Sequence, residues 1–437
     1  MAIVGVVADD LTGANDTAVQ FSKQGLRAVV SLGADVLSAR LLSADVAVLD
    51  TASRELSPGA AAAACRVAVA SLRECGVSLL YKKIDSTLRG HVAEEIAAAL
   101  DAFSPGGACL VAPAFPALQR VTIGGYQLTG QQLAAHSLNG PLDVAHRAHV
   151  PTMLAAVVGD AVGHLSLLDV RQGAQQLEEM IRARVASGQR FLAADALDDH
   201  DLQHVARAFR SAGVGTVIVG SGGLASVVPS VWSMRRRQQW RRSVSAPVVV
   251  LAGSLHPTTR RQLATLASQQ YAPHWIHLNV SALSSDSRCG AEQERVIGEL
   301  LIKLLCGNDV AVSSSQPGTS PVEPPRGSEG MRLREVINAT FGIIARQVVE
   351  AEPSTGLVLT GGDVAEAVLR ELGVEGMAIE DEVQPGIPFG RCVAGAFEGL
   401  RVVSKAGGFG ADTALADALR FLREEARHHD RDRQQGD

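Results

Sequence analysis

The stretch "VVADDLTGANDTAVQF", residues 6–21, runs from an apolar segment into two adjacent acids and then into a segment of helical period. Val6–Ala8 reads as the end of a buried strand, Thr12 and Gly13 as a turn, and Ala14 onward as a helix. Adjacent carboxylates repel and are costly to desolvate, so a plain turn has no need of both Asp9 and Asp10. The pair therefore predicts a cation, a proton or a hydroxyl at the end of this strand.

The same grammar continues along the chain. Short Val/Ile/Leu runs, expected as strands at 2–8, 27–32, 46–50, 77–84, 107–112, 165–170 and 215–219, alternate with Ala-rich segments expected as helices at 14–24, 58–74, 92–103, 173–187, 201–211 and 225–234. Parallel strands with crossover helices give this pattern. At "RRRQQWRRSVSAP" charge replaces apolar periodicity, and the pattern restarts with strands at 247–254, 273–279, 309–313, 356–360 and 400–405. A chain of 437 residues suits two domains by length. The expectation is an α/β protein of two domains, each with a mostly parallel sheet flanked by helices, and an active site in the cleft between them. Residues 1–235 form the first domain, 236–247 the linker, 248–425 the second domain and 426–437 a disordered tail. The Ser/Pro/Gly-rich segment 314–330 is given no secondary structure.

Composition narrows the function. Aromatics at 4% and a net charge of −6 offer neither stacking platforms nor a basic surface, which argues against nucleic acid and anionic membrane as partners. Six scattered cysteines without a CxxC pair read as reduced thiols, and no apolar run is long enough to span a bilayer, so a cytoplasmic protein is expected. Ala-rich helices such as 58–74 suit packing within one subunit or between two, which leaves a homodimer open.

Three strand–loop–helix passages in the second half carry small residues at the turn: "VVVLAGSLHPTTRRQL", "GLVLTGGDVAEAVL" and "RVVSKAGGFGADTALADAL". In a parallel sheet such loops emerge together beyond the carboxyl ends of the strands. Gly361, Gly362, Gly407, Gly408 and Gly410 let backbone N–H groups approach a ligand, and Lys405 adds a cation, so the loops read as an anion cradle. The bland alternative is tight turns with Asp363 as a helix cap. Neither a P-loop nor a dinucleotide fingerprint is present.

First-half strand ends carry side-chain chemistry instead. "LDTASREL" brings Asp50, Ser53 and Arg54, and "YKKIDSTLRGH" brings Lys83, Asp85, Ser86, Thr87 and Arg89. Arginine grips a carboxylate in a bidentate fork while Asp and Ser read hydroxyls, so the inventory suits a polyhydroxy acid. Each also has a structural alternative: Arg54 or Arg89 as a surface ion pair, Thr12 and Asp85 as caps of the helices expected at 14 and 92. Two further classes fit part of the pattern, an NAD-dependent hydroxy-acid oxidoreductase and a non-catalytic sugar-acid sensor.

Eight motifs in order, "ADDLTGANDT", "KIDSTLRG", "PAFP" with "GGYQL", "GSGGLA", "GSLHP", "LTGGDVAEAVL", "EVQPGIPFG" and "KAGGFG", resemble the four-carbon acid sugar kinase family over nearly the whole chain. The resemblance implies an N-terminal acid-sugar-binding domain, a C-terminal ATP-binding domain, and transfer of phosphate from ATP, with Mg²⁺, to the terminal C4 hydroxyl of a tetronate. Carried over by motif, Ser254, Gly361, Gly362, Asp363, Val364 and Gly407 are implied ATP contacts, joined by Lys405 and Gly408 from the anion cradle. Asp9, Asp10, Ser53, Arg54, Lys83, Asp85 and Arg89 are the expected substrate contacts, with Asp10 as catalytic base and Asp85 and Asp363 as alternates. No metal ligand is assigned. "GANDTAVQ" and "YKKIDSTLRG" resemble the D-threonate-acting members more than the 3-oxo-tetronate-acting ones. D-threonate therefore leads, followed by D-erythronate, L-threonate and 3-oxo-tetronate. Ala52 departs from the acidic or polar residue that members often carry there.

Overall fold

A computed structural model describes residues 4–32, 44–130, 148–234, 247–253, 256–314 and 328–433. Ser254, residues 236–246 of the expected linker and most of the 314–330 excursion lie outside these residues. The chain divides into two compact units, Met1–Gln238 and Gln239–Asp437.

In the first unit the strands are β1 (Val4–Ala8), β2 (Ala28–Leu32), β3 (Val46–Asp50), β4 (Leu79–Lys83), β5 (Cys109–Ala112), the hairpin pair β6 (Arg120–Ile123) and β7 (Tyr126–Thr129), then β8 (Val162–Leu165), β9 (Phe191–Ala194) and β10 (Val217–Gly220). All but the hairpin form one parallel sheet in the order β2-β3-β1-β4-β10-β5-β9-β8. Every residue of β1 is buried, as a strand covered by helices on both faces requires. The chain leaves β1 for β2 and then β3 on one side and crosses to β4 on the other. The carboxyl end of β1 therefore lies at a topological switch point, where parallel sheets bind ligands.

In the second unit, β11 (Val248–Ala252), β12 (His274–His277), β13 (Val310–Ser313), β14 (Gly356–Thr360), β15 (Gly376–Gln384), β16 (Ile387–Val393) and β17 (Arg401–Lys405) are ordered β12-β13-β11-β14-β17-β16-β15. The first five in that order are parallel; β16 runs antiparallel to β17 and β15. Its core packs Val250, Leu263, Val358, Phe389, Leu415 and Leu422.

Several expectations shift. The strand expected at 165–170 is a strand only to Leu165; Leu167–Val170 is a helical turn, because Ser166 and Asp169 form a reciprocal capping box. The first helix begins at Leu11 and is capped by Asp10, not Thr12. Helix Val92–Phe103 has His91 at its N-cap with no side-chain cap bond, so Asp85 does not cap it. The last helix runs past residue 425 to Arg433. The strand β9 and the hairpins β6–β7 and β15–β16 are additions, the latter turning through Pro385 and Gly386, whose φ is +79°.

Candidate active site

Three adjacent strand ends, those of β3, β1 and β4, place the acids and cations of the first unit together. Asp10 takes the N-cap of helix Leu11–Ser22 with extended backbone, and Gly13 N–H donates to its Oδ1 at 2.8 Å. Arg54, from the loop after β3, donates to Asp9 through Nε (2.7 Å) and Nη2 (3.0 Å) and to Asp10 Oδ2 through Nη1 (2.5 Å). One guanidinium thus bridges both carboxylates, offsetting their repulsion and drawing its own pKa upward through Asp10 and Asp9 against burial. For Asp9, burial works to raise the pKa, but the Arg54 fork outweighs it and holds the carboxyl below its usual range. Asp10 is pushed the other way: burial and the neighbouring Asp9 raise its pKa more than Arg54 lowers it.

The loop carrying Arg54 is fastened to β1. Ser53 and Arg54 N–H donate to Asp9 O at 3.0 and 3.2 Å, and Thr51 donates to Ala8 O through both N–H and hydroxyl. Ala52 sits at φ +46°, a left-handed conformation costing an alanine about 1–2 kcal/mol, with its N–H on Asp50 Oδ1 at 2.9 Å. Ser53 Oγ donates to Glu95 Oε1, and Glu95 Oε2 is 3.0 Å from Lys82 Nζ. Lys82 is fully buried, and Glu95 raises its pKa against the pull of burial. Sequence reasoning missed this pair. Alternation on a strand offers a signal for it, because Lys82 and Lys83 must point to opposite faces and only one can meet the site.

Lys83 is the one that does. A Cβ on Gly13 would stand 2.7 Å from Lys83 Nζ and 2.7 Å from Asp10 Oδ1, so the absent side chain is what lets acid and ammonium close on the helix start. Lys83 Nζ has no hydrogen-bond acceptor among the described residues. Asp85 accepts a fork from Arg89 (Nη2 to Oδ1, 2.8 Å; Nε to Oδ2, 3.1 Å) and the Thr87 N–H at 3.0 Å. Burial opposes ionisation, but Arg89 and Thr87 hold the carboxyl far below its usual range. Arg54 Nη2 is 3.8 Å from Asp85 Oδ1, joining Asp9, Asp10, Arg54, Asp85 and Arg89 in one ladder of charge. Arg120 Nη1 donates to Ser86 Oγ at its edge. The predicted Asp9, Asp10, Ser53, Arg54, Lys83, Asp85 and Arg89 are all brought to these three strand ends.

In the second unit, the ends of β14 and β17 meet where Gly361 N–H donates to Lys405 O at 2.8 Å. Gly361, φ +111°, holds the N-cap of helix Gly362–Glu371, and Asp363 is exposed in its first turn. Val364 points inward instead: its Cγ2 lies 2.5 Å from where a Cβ on Gly253 would sit, so any contact it makes with a ligand is through backbone. Lys405 is buried and donates to Ala406 O at 2.8 Å, Gly407 O at 3.2 Å and Thr259 Oγ1 at 3.4 Å. Burial drags its pKa down to about 7. Gln262 Nε2, on helix Pro257–Ala267, donates to the carbonyls of Phe409, Gly410 and Ala411. Among the described residues no group of three His, Cys, Asp or Glu side chains is placed to hold a metal ion, and no helix is long and apolar enough to cross a membrane.

Residues 4–228 match a sugar-binding N-terminal domain and residues 249–415 a nucleotide-binding C-terminal domain. Over 428 residues the chain is 34% identical to a D-threonate kinase of Bordetella bronchiseptica, covering 96% of this chain and 98% of that one. It is 29% identical over 439 residues to a D-erythronate kinase of Heliobacterium modesticaldum, covering 97% of each. A crystal structure of a Haemophilus influenzae protein superposes with a TM-score of 0.73 at 22% identity, over 96% of this chain and 100% of that one, and has the same fold.

Proposed function

The chain belongs to the four-carbon acid sugar kinase family, and from that premise we propose that it uses ATP to phosphorylate the C4 hydroxyl of a four-carbon acid sugar, D-threonate first. What carries the reading is a coincidence of position. The sugar-binding match falls on the acid–guanidinium ladder, and the nucleotide-binding match falls on the glycine loops. Greater identity to a D-threonate kinase than to a D-erythronate kinase supports the order of substrates.

Phosphoryl transfer asks a protein for alignment and charge neutralisation more than for covalent help. Arg89, whose side chain is 63% exposed, is the cation of the ladder that reaches outward to the sugar carboxylate, and the buried Lys83 is a second cation beside Asp10. Arg54 holds Asp9 and Asp10 in place. Among the three candidate bases, Asp85 is saturated by Arg89 and Thr87, and Asp363 is solvent-exposed on the other unit. Asp10 combines partial exposure with a raised pKa, which suits a group that accepts the hydroxyl proton late in transfer. Mg²⁺ usually keeps water and phosphate ligands, so the lack of a three-residue acidic cluster among the described residues fits an ion arriving with ATP, where it neutralises phosphate charge. The six thiols, all unpaired, suit a cytoplasmic setting.

The test is Mg²⁺-dependent ADP release from ATP with D-threonate, D-erythronate, L-threonate, L-erythronate and 3-oxo-tetronate. D-threonate should give the highest kcat/KM. Preference for another tetronate would move the substrate and keep the reaction; folded protein silent on all five would sink the kinase assignment.

A further inference from the structure

We propose that Lys405 is a positioning residue that shapes the Ala406–Gly408 turn into a phosphate-binding nest, drawing two successive carbonyls inward so that the amides behind them face outward. The proposal rests on the reading of the second unit as nucleotide-binding. Lys405 was the obvious candidate to touch a phosphate itself, yet its ammonium is turned into the protein. In a trans peptide the C=O and N–H of one unit point in opposite directions, and no peptide among the described residues is cis. Ala406 O accepts from Lys405 Nζ, so the Gly407 N–H points away from the ammonium. Gly407 O accepts from Lys405 Nζ and, at 2.8 Å, from Thr259 Oγ1, so the Gly408 N–H points away as well. Neither amide donates to any described residue. Phe409 N–H closes the turn on Ala406 O at 3.2 Å, and Gln262 fixes the three carbonyls that follow. Two adjacent outward N–H groups form a concavity of the kind that binds phosphate oxygens.

The choice of lysine follows from its chemistry. An ammonium has three donors and no acceptor, so everything around it must present oxygen, and here all three partners do. No carboxylate balances it among the described residues. The other charged groups nearby are His256, which burial and then Lys405 push below its usual pKa, and Arg261, which is paired to Asp412 at 3.0 Å. A phosphate on the outer side of the turn favours the charged ammonium. Binding above pH of about 7 should therefore take up a proton at Lys405, and binding well below it should not.

The test compares wild type with Lys405→Met, which keeps the length of the stem and removes the donors. Amide exchange is read without ligand, and Mg-ADP and adenosine are titrated by calorimetry in buffers of different ionisation enthalpy. In the variant, exchange across 406–411 should quicken before any nucleotide is added. Mg-ADP should bind about tenfold more weakly, as loss of a charge-assisted contact implies, with adenosine affinity unchanged and the proton uptake gone. Thr259→Val, which removes the second donor to Gly407 O and the most distant of the three acceptors of Lys405, should move the same quantities less, and it serves if Lys405→Met does not fold. Weaker Mg-ADP binding with unchanged exchange would overturn the positioning role in favour of direct contact, and unchanged Mg-ADP affinity would overturn any role. Wild-type protein that binds no Mg-ADP would overturn the nucleotide reading itself, a different result from either.

Discussion

Asp10→Asn should lower kcat by about 10²–10⁴ while changing the KM for the acid sugar little, as loss of a general base predicts. The substitution isolates the chemistry because Asn is as good an N-cap as Asp, so its Oδ1 can still accept the Gly13 N–H. Arg54 keeps its fork on Asp9. The pH profile gives a second readout. A base must be deprotonated to act, and burial with Asp9 alongside raises the Asp10 pKa, so kcat/KM should fall with pH on an acid limb lying above that of an ordinary aspartate. That limb should vanish in the variant. Turnover near the wild-type level would remove Asp10 from the mechanism.

The largest loss of stability is expected at Glu95→Ala. The substitution leaves Lys82 fully buried with its carboxylate gone, and breaking such a pair typically costs about 3–5 kcal/mol. At about 2–4 °C per kcal/mol for a unit of this size, thermal unfolding should begin roughly 6–20 °C lower. Activity should fall too, because Ser53 loses its acceptor and the loop that carries Arg54 loosens. Removing both charges, Lys82→Met with Glu95→Leu, should restore most of the melting temperature, since well-packed apolar residues replace buried ion pairs at little cost. Unchanged melting of the single variant, within about 2 °C, would show that water reaches Lys82.

Much of this architecture was legible because buried parallel strands write themselves as apolar runs, and the turns that follow them as acids or glycines. "VVADDLTG" announced both a strand end and an unusual pair of carboxylates. It did not announce that one guanidinium from the next strand end but one, Arg54, would tie the pair together, since that contact depends on β3 lying beside β1. The β15–β16 hairpin was hidden because "IEDEVQPGIPFG" runs three acids together in its first strand and turns on Pro-Gly, which reads as loop. Glu95 was invisible for the opposite reason. On helix Val92–Phe103 it looks like any first-turn acid, and only packing shows that it faces inward. Lys405 was seen as a cation near glycines, but the direction of its ammonium is a tertiary fact.

The placement of β10 has a bearing on how the protein is made. This strand is laid between β4 and β5, pairing Val217 with both Leu80 and Cys109, although it comes after every other strand of its sheet. A nascent chain that has delivered β1 to β9 therefore holds two half-sheets with a gap at the centre, each showing an unpaired inner edge of the sort that invites association with other chains. Ile84 N–H, just beyond Lys83, gains its acceptor, Gly220 O, only when the gap is filled. On the ribosome, the strand end that carries Lys83 and leads into Asp85 should be the last part of the sugar-binding surface to mature, and chains arrested before residue 220 should depend on chaperones.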